Sequence, residues 1–249
     1  MLTHLKRFDT ISHCMIETTK NTNDLDELFK AGAHFGFSKS RRHPSTENFL
    51  FGSKNRVDIF DLEKTKESLD KALDFIKKLS TENAKILFVG GKPEAQEATK
   101  KTAEELDQPY VASRWIGGTL TNFSEISKRV EIMKNLMSQK ERGELAKYTK
   151  KERVLIDRDI EKLQKMFWGI RDLGNLPKAL VIIDPRYEDT ALKEAKGLKI
   201  PTVALCGSDN DISLIDYPIT GNDSSITSIR FFVEKIGEAY KEGKKQTKQ

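Results

Sequence analysis

The chain has 249 residues, 37% of them hydrophobic and 33% charged, with a net charge of +5 and a pI near 9.0. That length allows one large domain or a domain with a substantial insertion, wrapped in an unusually ionic surface that leans mildly toward polyanionic partners. A disulfide scaffold is excluded by having only Cys14 and Cys206, far apart in the chain, and a membrane helix is excluded because no apolar run approaches roughly 20 residues.

Residues 1–23 have no clean periodicity and read as an N-terminal extension. Lys6 and Arg7 are followed by no apolar core segment, so the segment is not a secretory leader and a cytoplasmic location is expected. His4, His13 and Cys14 lack a fourth ligand at suitable spacing, so no metal site is expected. A short helix follows from Asp24 to Ala31, with Asp24 placed to cap it and Leu25, Leu28 and Phe29 on one face. Residues 32–56 read as a loop with little regular pattern. In that loop Lys39, Arg41, Arg42, His43, Lys54 and Arg56 are interleaved with Phe35, Phe37, Phe49 and Phe51.

From Val57 onward the pattern becomes strand then helix. Val57 to Phe60 is a strand, and Leu62 to Leu79 sets Leu62, Leu69, Ala72, Leu73, Ile76 and Leu79 at helical spacing. Lys85 to Val89 is a buried strand running into Gly90-Gly91, Glu94 to Leu106 a helix, and Pro109 to Val111 a short strand. After an interruption the alternation resumes with a strand over Ala179–Ile183, a helix over Leu192–Leu198 and a strand over Thr202–Leu205. A last helix runs from about Asn222 to Tyr240, capped by Asn222 or Asp223, and leaves residues 241–249 as a basic C-terminal tail. Such alternation predicts an α/β fold with a mainly parallel sheet and helices on both faces, discontinuous over residues 24–121 and 173–240.

The interruption, residues 122–172, has no strand signal and no proline. One apolar stripe is Ile126, Val130, Met133, Leu136 and Met137, and a second is Leu155, Ile160, Leu163, Met166, Phe167 and Ile170. With a turn near Gly143, this predicts an inserted helical hairpin projecting from the sheet. It carries thirteen Lys and Arg against nine Asp and Glu, which suits either an ordinary solvated hairpin or a polyanion-facing one.

A doubly wound sheet raises the alternative of a small-molecule or nucleotide-dependent enzyme, so the strand ends matter. Gly90-Gly91-Lys92-Pro93-Glu94 follows a strand and opens a helix, yet it matches neither dinucleotide nor P-loop spacing. Asp184-Pro185-Arg186 ends another strand, where Asp184 and Asp209 could converge as an acid pair; a turn salt bridge between Asp184 and Arg186 is the simpler reading. All histidines lie within the first 43 residues and no hydrolase motif occurs. The most unusual short segment is Ser113 to Phe123, in which Trp115 and Phe123 bracket Gly117-Gly118. Its aromatics can pack the hairpin onto the sheet while Arg114 reaches a phosphate, and the two roles are compatible.

Several ordered signatures in this chain resemble those of the bacterial small-subunit ribosomal protein two family. They are His34-Phe35-Gly36, Arg42-x-Pro44, Phe51-Gly52-x-x-Asn55, Ile59-x-Asp61-Leu62-Glu63-Lys64-Thr65 and Arg114-Trp115-Ile116-Gly117-Gly118-Thr119-Leu120-Thr121-Asn122-Phe123. Leu176-Pro177-x-Ala179, Asp184-Pro185-Arg186, Ile215-Asp216-Tyr217-Pro218-Ile219 and Gly221-Asn222-Asp223 complete the set, over roughly residues 24–240. Phe37 and His43 depart from the pattern, standing where many relatives have histidine and tryptophan. The resemblance implies a flavodoxin-like doubly wound, mainly parallel sheet with an inserted α-helical coiled-coil hairpin. It implies a structural, non-enzymatic constituent of the small ribosomal subunit that binds its RNA, supports translation and needs no cofactor. Neighbouring small-subunit proteins are implied partners, among them, in many bacteria, the multi-OB-domain ribosomal protein one. Trp115, Gly117, Gly118, Asn122 and Phe123 are the structural signature that it implies.

RNA recognition by such a chain rests on shape and phosphate contacts, because A-form major grooves exclude side chains. The candidate RNA-binding residues are Lys39, Arg41 and Arg42 in the early loop, Arg114 at the hinge, and Lys128, Arg129, Lys150, Lys151 and Arg153 on the hairpin.

Overall fold

In the computed structural model, which describes residues 24–246, the chain opens on a short helix over residues 24–30 (α1). The expected N-terminal extension, residues 1–23, lies outside the described residues. Of the predicted apolar face of α1, Leu28 is buried, whereas Phe29 is exposed and stacks on the ring of His34 at 4.5 Å.

The expected loop over residues 32–56 instead holds two strands separated by two short 3-10 turns, Lys39–Arg41 and Pro44–Phe49. β1 (Phe35–Ser38), β2 (Leu50–Lys54) and β3 (Val57–Phe60) pair antiparallel in the order β1-β3-β2. Asn55 and Arg56 join β2 to β3 with φ of 53° and 67°, the two left-handed residues that a type I′ hairpin requires. Arginine stands where glycine commonly signals such a turn, and a register shift between Leu50 and Gly52 breaks the alternation of the strand. Those two irregularities conceal the sheet in the sequence.

The next elements follow the predicted order with small changes in extent. α2 (Leu62–Thr81) starts where the Asp61 side chain accepts a hydrogen bond from Glu63 N at 3.1 Å. Next come β4 (Ile86–Val89), α3 (Pro93–Leu106), β5 (Tyr110–Val111), α4 (Phe123–Glu141) and α5 (Lys150–Phe167). The chain finishes with β6 (Ala179–Ile183), α6 (Asp189–Gly197), β7 (Thr202–Cys206), β8 (Tyr217–Thr220) and α7 (Ile226–Gln246).

The last five strands form one parallel sheet in the order β5-β4-β6-β7-β8. Successive side chains of a strand point to opposite faces. Ile86, Phe88, Val181, Ile183, Val203 and Leu205 therefore pack with α2, α3 and α7, while Leu87, Val89, Leu180, Ile182, Ala204 and Cys206 join a second cluster with α4 and α6. Burial on both faces explains why these strands read as unbroken apolar runs. β8 is an exception: it occupies the sheet edge, where Pro218 is tolerated, and proline hides it from pattern reading.

Two boundaries move at the C-terminus. α7 begins at Ile226 and not at Asn222, whose side-chain oxygen accepts from Ser224 N and Ser225 N at 3.0 and 3.2 Å in a turn ahead of the helix. α7 also continues through Gln246, so most of the expected basic tail is helical. Ion pairs from Lys241 to Glu105 and from Lys77 to Glu242, both 3.0 Å, tie its last turns to α3 and α2.

Between β5 and β6, α4 and α5 pack on each other through Ile126, Val130, Met133, Ile160 and Phe167, with Leu163 and Met137 partly buried beside them. Lys140 pairs with Asp157 at 2.7 Å, and Thr149 with Glu152 forms a capping box at the start of α5. Leu155, expected on the apolar stripe, is half exposed. The pair shares the apolar cluster that covers Leu87, Val89, Leu180 and Ile182, so these helices close one face of the sheet.

The return of the chain toward β6 passes Gly169 directly against Tyr110, where an added Cβ would sit 2.8 Å from the ring and closer still to the Tyr110 carbonyl. Gly169→Ala is therefore expected to lower stability by about 2 kcal/mol through overpacking, measured as a fall in the urea unfolding midpoint at unchanged slope.

Candidate nucleic-acid interface

In a doubly wound sheet the crevice for nucleotides lies beyond the carboxyl ends of the strands, where the strand order reverses. Here that place is between β4 and β6, and the chain's own side chains occupy it. Lys92, just after β4, donates to Asp184 at 3.1 Å and to the Asp223 carbonyl at 2.9 Å. Glu188 accepts from Gly91 N at 2.9 Å, so a carboxylate stands at the start of α3 where a phosphate would otherwise bind. Gly91 has no room for a side chain, because a Cβ would meet Glu188 Oε1 at 2.5 Å and the Ser113 carbonyl at 2.6 Å.

The electrostatics of this plug are internal. Burial pushes the Glu188 carboxyl up to about 7, against the Gly91 N–H and with the help of Asp184. Asp223 is also raised, by burial first and then by Asp184. Asp184 sits at φ 59° and accepts backbone N–H bonds from Arg186 and Tyr187, both 3.2 Å. The expected turn salt bridge between Asp184 and Arg186 is not formed. The Arg186 guanidinium instead reaches Asp209 at 2.6 Å, so Asp184 and Asp209 each have a basic partner and do not act as an acid pair.

The small antiparallel sheet docks over these strand ends. Phe37 N donates to Ser208 Oγ at 2.8 Å, His43 N to the Ser208 carbonyl at 2.8 Å, and Thr46 Oγ1 to the same carbonyl at 3.0 Å. Arg42 belongs to this scaffold. Its Nε and Nη2 bind Asp58 at 2.8 and 2.5 Å, and Nη2 also reaches Ser53 at 2.8 Å. The Asp58 side chain is fully buried, and the hydrogen bond from Arg42 holds its carboxyl below the usual range despite desolvation. Lys39 and Arg41, by contrast, are exposed, and Arg41 lies over the Phe37 ring at 5.0 Å.

The signature segment after β5 has almost no ladder hydrogen bonding of its own, and one carboxylate replaces it. Glu194, on the inner face of α6, accepts from Trp115 Nε1 at 3.1 Å and Gly118 N at 2.7 Å through one oxygen. Its other oxygen takes Leu120 N at 2.9 Å, Thr121 N at 3.2 Å and Thr121 Oγ1 at 3.3 Å. Burial alone would raise this carboxyl, but the bonds from Leu120, Gly118, Trp115 and Thr121 outweigh it and hold the group ionised below the normal range. Gly118 takes φ 90°, a backbone conformation that side chains rarely adopt. Gly117 is free of such strain, since an added Cβ would meet nothing closer than 4.0 Å. Trp115 is buried and Phe123 half-buried in the cluster under α4, Asn122 precedes that helix without a side-chain cap bond, and Arg114 points into solvent.

The remaining candidates are exposed on the two helices. Lys128 pairs with Glu125 at 2.6 Å, and Arg129, Lys150, Lys151 and Arg153 are solvent-facing. The early residues Lys39 and Arg41, the hinge residue Arg114 and the helical cations thus lie on separate elements, while Arg42 is half-buried and its guanidinium is held by Asp58. Sequence reading missed Glu194, Asp58 and Glu188. The legible signal for Glu194 was an acid between Ala191, Leu192 and Ala195 on a buried helix face, a position that requires compensating donors.

Comparison with known proteins agrees with these signatures. A family model described as Ribosomal protein S2 matches residues 28–243. The Small ribosomal subunit protein uS2 of Roseiflexus castenholzii is 45% identical over 230 residues, covering 92% of this chain and 88% of that protein. Those of Coprothermobacter proteolyticus and Solidesulfovibrio magneticus are 39% and 40% identical, covering 88% and 90% of this chain and 82% and 87% of their own lengths.

Glu194→Gln sets an amide NH2 against at least two loop N–H groups, so a loss of about 3 kcal/mol in unfolding free energy is expected, with Trp115 fluorescence reporting a loosened loop. Glu188 gives a second test. Its folded pKa near 7 lies above the ordinary 4.5, so its contribution is complete below about 4.5 and is lost as pH rises through about 7. The urea midpoint of the wild type should fall over that window by an amount equivalent to about 3 kcal/mol, and Glu188→Gln should flatten the fall.

Proposed function

The chain belongs to the ribosomal protein S2 family, and from that premise we propose that it is a structural constituent of the small ribosomal subunit that binds ribosomal RNA and supports translation. It is not an enzyme. Its place is the cytoplasm, within the subunit, and its partners are ribosomal RNA and other proteins of that particle. No described helix is long and apolar enough to cross a membrane.

The observation that carries the RNA reading is a contrast in charge placement. The crevice that a nucleotide enzyme would keep open is filled by Lys92, Asp184 and Glu188, whereas Lys39, Arg41, Arg114 and the helical cations face solvent. Lys150, Lys151 and Arg153 lie in or next to the first turn of α5, where positive charge opposes the helix dipole and costs a few tenths of a kcal/mol or more per residue. Helix stability does not explain three cations there; contact with phosphate does. Lys39, Arg41, Arg114, Lys128, Arg129, Lys150, Lys151 and Arg153 make up the RNA-binding set. Arg42 acts through the scaffold, by neutralising Asp58.

The fold serves this role as a flavodoxin-like platform, supported by the strand order β5-β4-β6-β7-β8. Residues 24–121 and 173–240 form the sheet domain, and residues 122–172 are a coiled-coil hairpin inserted into it, supported by the apolar spacing along α4 and α5. A platform and an arm bearing cations on separate elements can hold two RNA helices at a fixed distance.

Sedimentation of a cell lysate tests the assignment. The chain should travel with small subunits at low salt and be stripped by high salt, since each phosphate contact releases counterions. The triple variant K150Q/K151Q/R153Q should lose about 2 from the salt-dependence slope of RNA binding. A chain that sediments free of ribosomal particles at low salt would contradict the assignment.

A further inference from the structure

Two arginines from distant parts of the sequence converge on one acid. Arg41 follows β1 and Arg186 follows β6, and both guanidinium groups approach Asp209 in the loop after β7, Arg186 at 2.6 Å and Arg41 at 3.9 Å. The Asp209 side chain is only 5% exposed, while each arginine is 56% exposed. From this arrangement we infer that Arg41 and Arg186 form a two-armed clasp for a single phosphodiester of ribosomal RNA, with Asp209 as the internal post that aims them. The inference rests on the RNA-binding reading above and assigns one contact within it.

Charge and donor supply both point outward. At the post itself one nearly buried carboxylate meets two exposed guanidinium groups, so the arginines carry more positive charge than Asp209 balances. Asp209 is already satisfied by the short bond from Arg186, and at 3.9 Å Arg41 makes a charge contact without a hydrogen bond. Among the described residues the Arg41 side chain donates no hydrogen bond, and Arg186 donates only through Nη1. The uncommitted N–H groups border an open cleft of about 550 Å³. Of the two other acids of the cleft, Asp189 pairs with Lys193 at 2.5 Å, while Asp211 stays ionised, turned to Ser213 N and Oγ at 3.0 and 2.6 Å and lying beside His43.

The geometry also suits the ligand. A phosphodiester carries one negative charge and two free oxygens, which match forked N–H donors better than a point charge does. Arg41 lies over the Phe37 ring at 5.0 Å and Arg186 is anchored to Asp209, so less side-chain freedom remains to be lost on binding. Two like charges held side by side repel each other, and an arriving anion relieves that repulsion.

Salt-dependent binding of the full chain to purified small-subunit ribosomal RNA tests the clasp. Arg41→Gln leaves the Arg186–Asp209 pair intact, so it keeps the fold, and it should lower the slope by about one and the affinity about tenfold. R186Q, checked for folding by thermal unfolding, should do the same. The double variant R41Q/R186Q should lose no more slope than either single change, because one phosphate is shared. An unchanged slope in R41Q, with the wild type binding normally, overturns the clasp and leaves the ribosomal assignment standing. Additive losses in the double variant overturn the shared phosphate. A wild-type chain that fails to bind this RNA overturns the RNA-binding reading itself.

Discussion

The buried carboxylate of Glu194 is the contact on which the arrangement of this molecule depends most. Five donors from residues 115–121 converge on its two oxygens. Without it, the amides of Gly118, Leu120 and Thr121 would lose partners in a segment that has no sheet or helix ladder to replace them. The same segment delivers Trp115 and Leu120 into the apolar cluster that contains Ile126, Val130 and Met133 of α4. One charge on α6 therefore fixes the bend before α4, and with it the start of that helix against the sheet. Arg114, at the edge of the fixed segment, inherits a defined position from it.

A second set of ionic contacts turns a ligand-binding architecture into a solid support. Lys92, Asp184 and Glu188 fill the crevice at the strand ends, and the small sheet is fastened over them through Ser208. Arg42 and Asp58 lock that small sheet from within. Buried ions of this kind are costly unless paired; here Lys92 pairs with Asp184 and Arg42 with Asp58, while Glu188 rests on the Gly91 N–H. The cations that face solvent lie outside, on Lys39, Arg41, Arg114 and the two helices. Rigid interior charge and free exterior charge are what a binding platform needs, and neither favours turnover of a small molecule.

Much of this could be read from the sequence, for physical reasons that differ by element. Strands buried on both faces left continuous apolar runs at Ile86–Val89 and Ala179–Ile183, and period 3.6 marked the helices. The β1-β3-β2 sheet stayed hidden because its turn uses Asn55-Arg56 and its second strand carries a bulge. β8 stayed hidden because an edge strand can hold Pro218. Composition located the basic loop but could not separate Arg41 from Arg42, since adjacent residues of identical type differ only in what they face. Glu194 and Asp58 were illegible as partners because hydrogen bonds 73 to 79 residues apart in the chain, or through a bulged sheet, have no local signature.

Amide hydrogen exchange of the signature segment bears most directly on the central role of Glu194. Gly118, Leu120 and Thr121 lie outside every helix and strand, yet their N–H groups point at a buried carboxylate. If that carboxylate holds the loop, all three amides should exchange about a thousandfold or more slower than an open loop, as core amides do. Exchange at the rate of a solvated loop would contradict the account.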